Sequence, residues 1–199
     1  MFKYCNEIEI DHIKIEPLTR DNYYLVRGFS CKNEVLTDFL QKKALSDNGT
    51  KTYLFTYSDL CNKYLLGFCS FGSPGISFYN DYNAPKEQAR RFSVSAIEIN
   101  YFALDAKYSH MFWDEEAESE NDEYFLSDIL LNIAIKFIIT NIRSVVGAIY
   151  ILLYSIPKAL GLYKRNGFKE FEDFMIPSYK RYLEGCIPMY LSINSYEIE

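Results

Sequence analysis

Tyr163 is the side chain of this sequence best suited to proton transfer. It lies in the stretch 149–168, whose pattern predicts a buried strand, a short helix and a second strand opening at Gly167 and Phe168. A phenol with a pKa of about 10 is neutral near pH 7 and can act as a general acid. The alternative interpretation is structural: a half-buried tyrosine that closes the helix onto the sheet.

Glu98 and Asn100 are polar residues within the otherwise apolar stretch 93–104, which predicts a strand. Because side chains alternate along a strand, both project from one face. Glu98 is therefore a second candidate for proton transfer, and the alternative is an ordinary polar side chain facing solvent or a loop. Lys164 and Arg165 could meet phosphates or an acidic substrate, although charged residues on a surface helix are usually just solvated.

The cysteines indicate neither a metal site nor a redox pair. Their number is odd, no CxxC spacing is present, and neither histidine has a cysteine at ligand spacing. We interpret them as reduced and mostly buried, in a cytoplasmic protein. Cys31 and Cys69 lack a paired histidine and fit small core residues. His110 could bind a phosphate or act as a base, and a lone surface histidine is the simpler interpretation.

The length allows one well-packed domain or at most two small ones, and we expect a single domain over residues 1–199 because the sequence shows no linker and no domain boundary. Hydrophobic residues make up 49 % of the 199 positions, enough for a sizeable core. The formal net charge of −6 argues against a broad nucleic-acid face, which requires clustered Lys and Arg. The N-terminus lacks a signal-peptide core, and the most apolar stretch, 126–142, is judged too polar and short for a membrane span. We expect a cytoplasmic protein with no membrane association.

Hydrophobic periodicity predicts the elements. Strands are expected at 8–15, 52–57, 64–71, 93–104, 145–153, 168–174 and 187–193, with the second and third forming a hairpin. Helices are expected at 30–47, capped by Ser30 or Asn33, at 124–141, and after Pro157. The polar stretch 80–91 is expected to be a loop. This order indicates the α+β class: a single αβα layered domain with a mixed, mostly antiparallel sheet.

An acidic segment separates the central strand from the second long helix. Seven of the ten residues 114–123 are acidic. Like charges at this density repel one another, so we expect 109–123 to form a solvated, mobile loop within the domain.

Four segments resemble the GNAT superfamily of acyl-CoA-dependent N-acyltransferases, whose element order is the same. The Ala-x-x-Leu-Tyr-x-x-x-Gly-Phe pattern at 159–168 resembles the last helix–strand unit of that family. The stretch 29–40, with Phe-x-Cys-x-Asn at its start, resembles the first helix of the acetyltransferase toxins of toxin–antitoxin pairs. The stretches 99–105 and 188–193 resemble the fourth and the closing strands. The resemblance covers about 13–193.

The resemblance implies roles for the candidate residues. Tyr163 would protonate the thiolate of coenzyme A as it leaves, and Glu98 would relay a proton from the attacking amine through water. The central strand would splay from its neighbour and offer backbone N–H and C=O groups to the pantetheine arm of acetyl-CoA, at Tyr101, Phe102, Ala103 and Leu104. Ser127 would assist at the phosphate end.

The phosphate end departs from the family pattern. The family binds the pyrophosphate on a Gln/Arg-x-x-Gly-x-Gly/Ala loop before a helix, where backbone N–H groups converge. The matching positions here are Asp122, Phe125 and Ser127. The family often has Asn three residues before Ala159, where this chain has Ile156.

Two interpretations of this departure stay open. Carboxylates of the acidic segment could fold onto the helix N-terminus, occupy the anion site and oppose coenzyme A. Alternatively, the segment swings clear, and free N–H groups at 124–127 hold the phosphate with help from the Ser127 hydroxyl.

Two hypotheses follow from the resemblance. The first is transfer of an acetyl group from acetyl-CoA to a primary amine of a small molecule, a protein or an aminoacyl-tRNA. The toxin-like helix suggests the tRNA, and the acidic net charge disfavours it. The second is a GNAT-fold protein that no longer uses acetyl-CoA and acts as a binding or regulatory module. A homodimer is a possible assembly.

Overall fold

The structure is a computed structural model that describes residues 3–4, 8–59, 61–79, 91–109, 111–112, 125–176 and 185–195. The strands in these ranges are β1 Lys3–Tyr4, β2 Ile13–Pro17, β3 Lys51–Ser58, β4 Lys63–Gly72, β5 Gly75–Tyr79, β6 Arg91–Leu104, β7 Met111–Phe112, β8 Tyr150–Ser155, β9 Lys169–Glu170, β10 Met175–Ile176 and β11 Ile187–Ser192. The α-helices are α1 Glu34–Asp38, α2 Leu126–Phe137, α3 Arg143–Val146 and α4 Leu160–Arg165. Helices α1 and α2 continue as π-helical turns, Phe39–Lys43 and Ile138–Ile142.

Nine strands form one mixed sheet, which confirms the predicted α+β class. The main path is β2-β3-β4-β6-β8-β11-β9, and β5 pairs with both β6 and β10. The ladder between β6 and β8 is parallel, whereas β2–β3, β3–β4, β5–β6, β5–β10, β8–β11 and β9–β11 are antiparallel. The hairpin predicted from the two early strands is therefore confirmed as β3–β4.

The chain divides into two compact units, 1–71 with 100–135 and 72–99 with 136–199. Strand β6 contributes to both, residues 100–104 to the first and 91–99 to the second. A single domain over 1–199 stays a prediction.

The first unit is built around the β3–β4 hairpin and the segment that carries α1. The Asn33 side chain caps α1 by accepting from the N–H groups of Val35 and Leu36, at 3.0 and 3.4 Å, which confirms one of the two predicted caps. Phe29 packs edge-to-face on Phe68 with ring centroids 5.5 Å apart. One buried apolar cluster of this unit comprises Leu18, Val26, Phe29, Phe39, Leu40, Ala44, Leu54, Leu65, Phe68 and Ala103.

The second unit is built around β8, which pairs with β6 on one side and β11 on the other. Pro157 occupies the first turn of the 3₁₀-helix that leads into α4, as predicted. An aromatic cluster fills the region between β5 and β11, and Tyr190 donates a hydrogen bond to Glu172 over 2.7 Å. The buried members are Ile76, Phe78, Ala96, Leu152, Met175 and Tyr190.

Several predicted boundaries are wrong. The strand expected at 145–153 begins only at Tyr150, because the helix extends to Val146 and Gly147 ends it in a left-handed conformation with φ 63°. Residues 10–12 of the strand expected at 8–15 are 3₁₀-helical. The strand expected at 168–174 is reduced to β9. Strands β5 and β10 were not predicted, because Gly and Pro flank the first and the second is two residues long.

Part of the predicted loops cannot be compared. Residues 80–90 lie outside the described residues, as do 110 and 113–124 of the acidic segment. Met111 and Phe112, inside the expected loop, form β7 and pair in parallel with Lys3 and Tyr4.

The helical run Leu126–Val146 comprises 21 residues and is long and apolar enough to cross a membrane by length and composition. The prediction that this stretch is too short and polar is therefore wrong. A single helix of this kind is weak evidence for a span, since the core helix of a soluble protein meets the same criterion. Its buried apolar side chains are Leu126, Leu130, Leu131, Ala134, Ile135 and Ile138.

Candidate functional site

The end of β6 has an edge that β8 does not cover. The parallel ladder begins where Ala96 pairs with Tyr150 and ends where Ile99 pairs with Leu153. Strand β6 continues to Leu104, and none of the described strands pairs with that side of it beyond the ladder. Backbone N–H and C=O groups on such an edge can pair with an extended ligand. The predicted cofactor-binding residues on this stretch are Tyr101, Phe102, Ala103 and Leu104.

The opposite side of the same stretch packs tightly against β4. In β3–β4, Phe55 pairs with Gly67 and Thr56 with Leu65, so Leu66 is an extra residue that forms a bulge. The bulged carbonyl of Leu66 accepts the N–H of Asp105 over 2.9 Å. Backbone hydrogen bonding to β4 therefore fixes the position of β6 on the side opposite its free edge.

Asp105, which sequence reasoning did not single out, anchors the end of β6. Its side chain is 4 % exposed. Its Oδ2 accepts the N–H of Ser30 over 3.1 Å, and its Oδ1 accepts the N–H of Lys107 over 3.0 Å. The N–H of Ala106 in turn donates to the Ser30 carbonyl over 2.7 Å. These bonds fix the start of the toxin-like segment 29–40 to the end of the strand. The only sequence signal was an acidic residue directly after an apolar strand.

A carboxylate of the chain itself occupies the start of α2. Oδ2 of Asp128 accepts the N–H of Phe125 over 3.2 Å, and the Phe125 carbonyl accepts the N–H of Asp128 over 2.9 Å. This is the acidic half of a capping box, with Phe125 at N-cap and Asp128 at N3. Asp128 is 1 % exposed. The sequence pattern left two interpretations of the acidic segment open. Residues 113–124 of that segment lie outside the described ranges, so both interpretations stay open.

Ser127 lies in the first turn of α2, between the capping partners. The first N–H groups of a helix have no acceptor within the helix, and no bond of the Leu126 or Ser127 N–H groups is present within the described part of the chain. The position predicted for the phosphate lies beside a buried carboxylate, that of Asp128.

Tyr163 lies on α4 in the second unit and is 9 % exposed. Burial raises the pKa of its phenol to about 12. Its ring packs edge-to-face on Phe168, with centroids 5.9 Å apart, and its carbonyl accepts the N–H of Phe168 over 3.0 Å. At the predicted start of the next strand, the chain therefore turns so that Phe168 contacts α4, and Gly167 adopts the positive φ of 83° that this turn requires. The phenol is a neutral potential proton donor.

Glu98 lies on β6 in the second unit, in register with Leu152 of β8. It is 3 % exposed, which excludes the solvent-facing alternative. A carboxyl group so buried is an unusual component of a strand and a candidate for proton transfer. Asn100, two residues later, is half-buried.

The remaining candidates have ordinary structural environments or lie outside the described residues. Lys164 forms an exposed ion pair with Glu170, Nζ to Oε1 2.7 Å, the solvated state expected of a surface helix. Cys69 is fully buried, and burial raises the pKa of its thiol well above the usual value, which fits a core residue. Ile156 is exposed. His110 lies outside the described residues. Among those residues, no group of three or more His, Cys, Asp or Glu side chains could hold a metal ion.

In sequence, no protein-family model and no curated protein matches the chain. Solved structures match its fold. A Tyr-to-Phe mutant of the toxin AtaT aligns with a TM-score of 0.67 at 16 % identity, over 98 % of this chain and 95 % of that chain. AtaTR bound with AcCoA aligns with a TM-score of 0.63 at 17 % identity, over 93 % and 96 %. A Tyr-to-Phe mutant of KacT aligns with a TM-score of 0.62 at 15 % identity, over 92 % and 96 %.

The chain therefore has the GNAT fold, as its sequence resemblance predicted. These neighbours include the toxin AtaT and a complex of AtaTR with AcCoA.

Proposed function

We propose that this protein is an N-acetyltransferase that moves an acetyl group from acetyl-CoA to a primary amine. The observation that carries the proposal is the end of the β6–β8 ladder at Ile99 and Leu153, which leaves the edge of β6 open as far as Leu104. The GNAT fold and the buried neutral phenol of Tyr163 support it.

The pantetheine arm would lie along this open edge as an added strand. It is an extended chain with two amide groups, and those amides can pair with the backbone of Tyr101, Phe102, Ala103 and Leu104. The side chains of these residues matter less than the exposed N–H and C=O groups. Ser127 would contribute at the phosphate end of the donor.

In the reaction, the amine nitrogen attacks the carbonyl carbon of the thioester, forming a C–N bond and an oxyanion. Backbone N–H groups on the central strand would stabilise the oxyanion. The intermediate collapses as the C–S bond breaks and the electron pair leaves with sulfur. Tyr163 donates its Oη proton to that sulfur, and the proton lost by the amine passes through water to Glu98.

The raised pKa of Tyr163 has two consequences for this step. The phenol is fully protonated throughout the physiological pH range, so it is always in the donor form. Its pKa of about 12 lies above that of a free thiol, about 8.5, so transfer of the proton to a solvated thiolate is uphill at every stage of bond breaking. We therefore place the proton transfer late, at a thiolate whose own pKa burial in the site would raise.

The acceptor class includes a small-molecule amine, a protein amine and an aminoacyl-tRNA, the last disfavoured by the net charge of −6. A cytoplasmic location, a single domain and a homodimer belong to the same proposal.

The first test is acetyl-CoA binding by calorimetry and thermal shift, followed by an amine screen. At a ligand concentration of 100 times Kd, stabilisation should reach about 2.7 kcal/mol, or roughly 5–10 °C for a chain of this size. If millimolar acetyl-CoA produced no binding heat and no thermal shift, the proposal that the protein is an acetyltransferase would be refuted.

The contact between Asp128 and Phe125 favours a second candidate, a GNAT-fold binding or regulatory module that does not use acetyl-CoA. A buried carboxylate at the start of α2 opposes a bound pyrophosphate. The binding experiment separates the two, since the module would give neither heat nor a shift with acetyl-CoA or with free coenzyme A.

A further inference from the structure

We infer that the protein recognises its acyl donor through the pantetheine arm, so that acyl-pantetheine thioesters lacking the nucleotide serve nearly as well as acetyl-CoA. The inference rests on the proposed function and deepens it by naming the donor class. All the described residues that carry it belong to the first unit.

The pantetheine end of the site is complete. Tyr101, Phe102, Ala103 and Leu104 continue β6 beyond its ladder with β8. Their position is held from the β4 side by the bond from Asp105 N–H to Leu66 carbonyl. An edge preorganised in this way binds an extended chain without first having to order itself.

One N–H group at the start of α2, that of Phe125, is already bonded to the chain's own carboxylate. A helix N-terminus attracts a phosphate because its N–H groups are unpaired and carry partial positive charge. Here Oδ2 of Asp128 takes the N–H of Phe125 over 3.2 Å and places negative charge in the first turn. The N–H of Phe125 corresponds to the first glycine of the family's loop, so one of the amides that would meet a phosphate is occupied.

Burial makes this arrangement hard to displace. Asp128 is 1 % exposed. Its backbone is also fixed, because its N–H donates to the Phe125 carbonyl over 2.9 Å. A carboxylate removed from water is costly to separate from its hydrogen-bond donors. A pyrophosphate approaching Leu126 and Ser127 therefore meets a fixed negative charge.

The sequence before α2 reinforces the same charge. Residues 114–123 include seven acidic side chains and no Lys or Arg. The chain as a whole carries a net charge of −6, which disfavours a donor that bears the negative charges of a nucleotide more than it disfavours uncharged pantetheine. Recognition of the arm with little contribution from the nucleotide is consistent with both observations.

The test compares three donors with one amine that the screen identifies: acetyl-CoA, S-acetyl-4′-phosphopantetheine and S-acetylpantetheine. We expect the kcat/KM values of the three donors to lie within about tenfold of one another, because the inference assigns few binding contacts to the nucleotide. A kcat/KM for acetyl-CoA more than about tenfold above that for S-acetylpantetheine, equivalent to more than about 1.4 kcal/mol of transition-state stabilisation, overturns this inference alone. No turnover and no thermal shift with any donor overturns both it and the proposed function.

A pair of variants tests the carboxylate directly. Asp128→Asn keeps an oxygen that can accept the Phe125 N–H but removes the charge. We expect it to raise kcat/KM for acetyl-CoA about tenfold relative to acetylpantetheine. The control is Asp59→Asn, because Asp59 also accepts backbone N–H groups, those of Cys61 and Asn62 at 2.8 and 2.7 Å, in the hairpin turn.

The donor ratio should be unchanged in Asp59→Asn. An equal ratio in Asp128→Asn and the unaltered protein would contradict the role given to the carboxylate. The three-donor comparison on the unaltered protein decides the inference if Asp128→Asn fails to fold.

Discussion

A β-carbon added to Gly67 would lie 2.5 Å from the carbonyl oxygen of Ala103. It would also lie 3.1 Å from the Cα atom of Leu104. Glycine at this point of β4 therefore allows the backbone of β6 to approach more closely than any other residue would permit. Since Ala103 and Leu104 belong to the proposed donor-binding edge, the glycine on β4 sets the position of that edge.

Gly67→Ala should destabilise the protein and weaken donor binding, because the neighbour is backbone and cannot rotate away. Overpacking of this kind costs about 1–3 kcal/mol, and acetyl-CoA binding should weaken through the displaced strand. Chemical denaturation and calorimetry measure the two effects. Gly28→Ala is the matched control, since nothing lies within 4 Å of a β-carbon there. Equal stability of the two variants would refute the close approach.

Tyr163→Phe should lower kcat by about 10²–10⁴, the range for a general acid, with little change in KM for acetyl-CoA. Stability should change little, because no hydrogen bond of the Tyr163 hydroxyl is present within the described residues. Tyr190→Phe is the control: it removes a buried hydroxyl that donates to Glu172 over 2.7 Å, so it should reduce stability and leave kcat unchanged. Steady-state kinetics decides, and a kcat for Tyr163→Phe close to that of the unaltered protein would exclude the phenol as the acid.

Stability should fall at alkaline pH because the folded protein keeps Tyr163 neutral. Burial raises the pKa of Tyr163 to about 12 from the ordinary value of 10.0. The stabilisation is fully present below pH 10 and is lost as pH rises to about 12, because the unfolded chain ionises first. Two pKa units correspond to about 2.7 kcal/mol.

The measurement is the free energy of unfolding from pH 8 to 12, in the unaltered protein and in Tyr163→Phe. The variant should show a shallower decline. Part of the decline should remain, since burial, followed by the hydrogen bond to Glu172, also raises the pKa of Tyr190 to about 12. Parallel curves for the two proteins would mean that Tyr163 does not contribute.

Asn33→Ala should cost about 0.5–2 kcal/mol, the usual cost of removing a helix cap. The loss follows from the two backbone N–H groups, of Val35 and Leu36, that the side chain satisfies. Asn33→Asp keeps an accepting oxygen and should retain most of the stability. Thermal unfolding of both variants measures the difference, and a large loss in Asn33→Asp would point to a role other than capping.

The thiols should differ sharply in reactivity. Cys61 is exposed, whereas Cys69 is buried and burial raises its pKa well above the usual value. Iodoacetamide at pH 8 should modify Cys61 rapidly and leave Cys69 unmodified until the protein unfolds, as followed by mass spectrometry. Rapid labelling of Cys69 in the folded protein would reopen the hypothesis that it is a nucleophile.

Prediction from sequence succeeded where local pattern decides. Strands β3, β4 and β6 nearly match the ranges predicted from their apolar runs. The Asn33 cap was predictable because its side chain accepts the N–H of Leu36, only three positions further along the chain. The prediction failed at 145–153, where an apolar run was divided between helix and strand by the left-handed conformation of Gly147. Periodicity alone cannot locate such a boundary, because Val145 and Val146 suit either element.

The candidate site was predicted in part. Tyr163 was found through its motif, and its burial on α4 agrees with the idea of a neutral phenol. Asp105 and Asp128 were not singled out as partners of Ser30 and Phe125. An acidic residue has no distinctive local pattern, and its partner depends on which backbone N–H group the fold brings near.

The sequence by itself determined the order of the longer strands and helices, the α+β class and the GNAT resemblance, because these depend on hydrophobic period and on motifs within a few residues. Only the tertiary structure decided where the β6–β8 ladder ends, how closely Gly67 lets Ala103 approach, and that Asp105 bonds Ser30, seventy-five positions away. These depend on contacts between segments remote in the chain. Their geometry is set by packing and backbone hydrogen bonding, which no local pattern records.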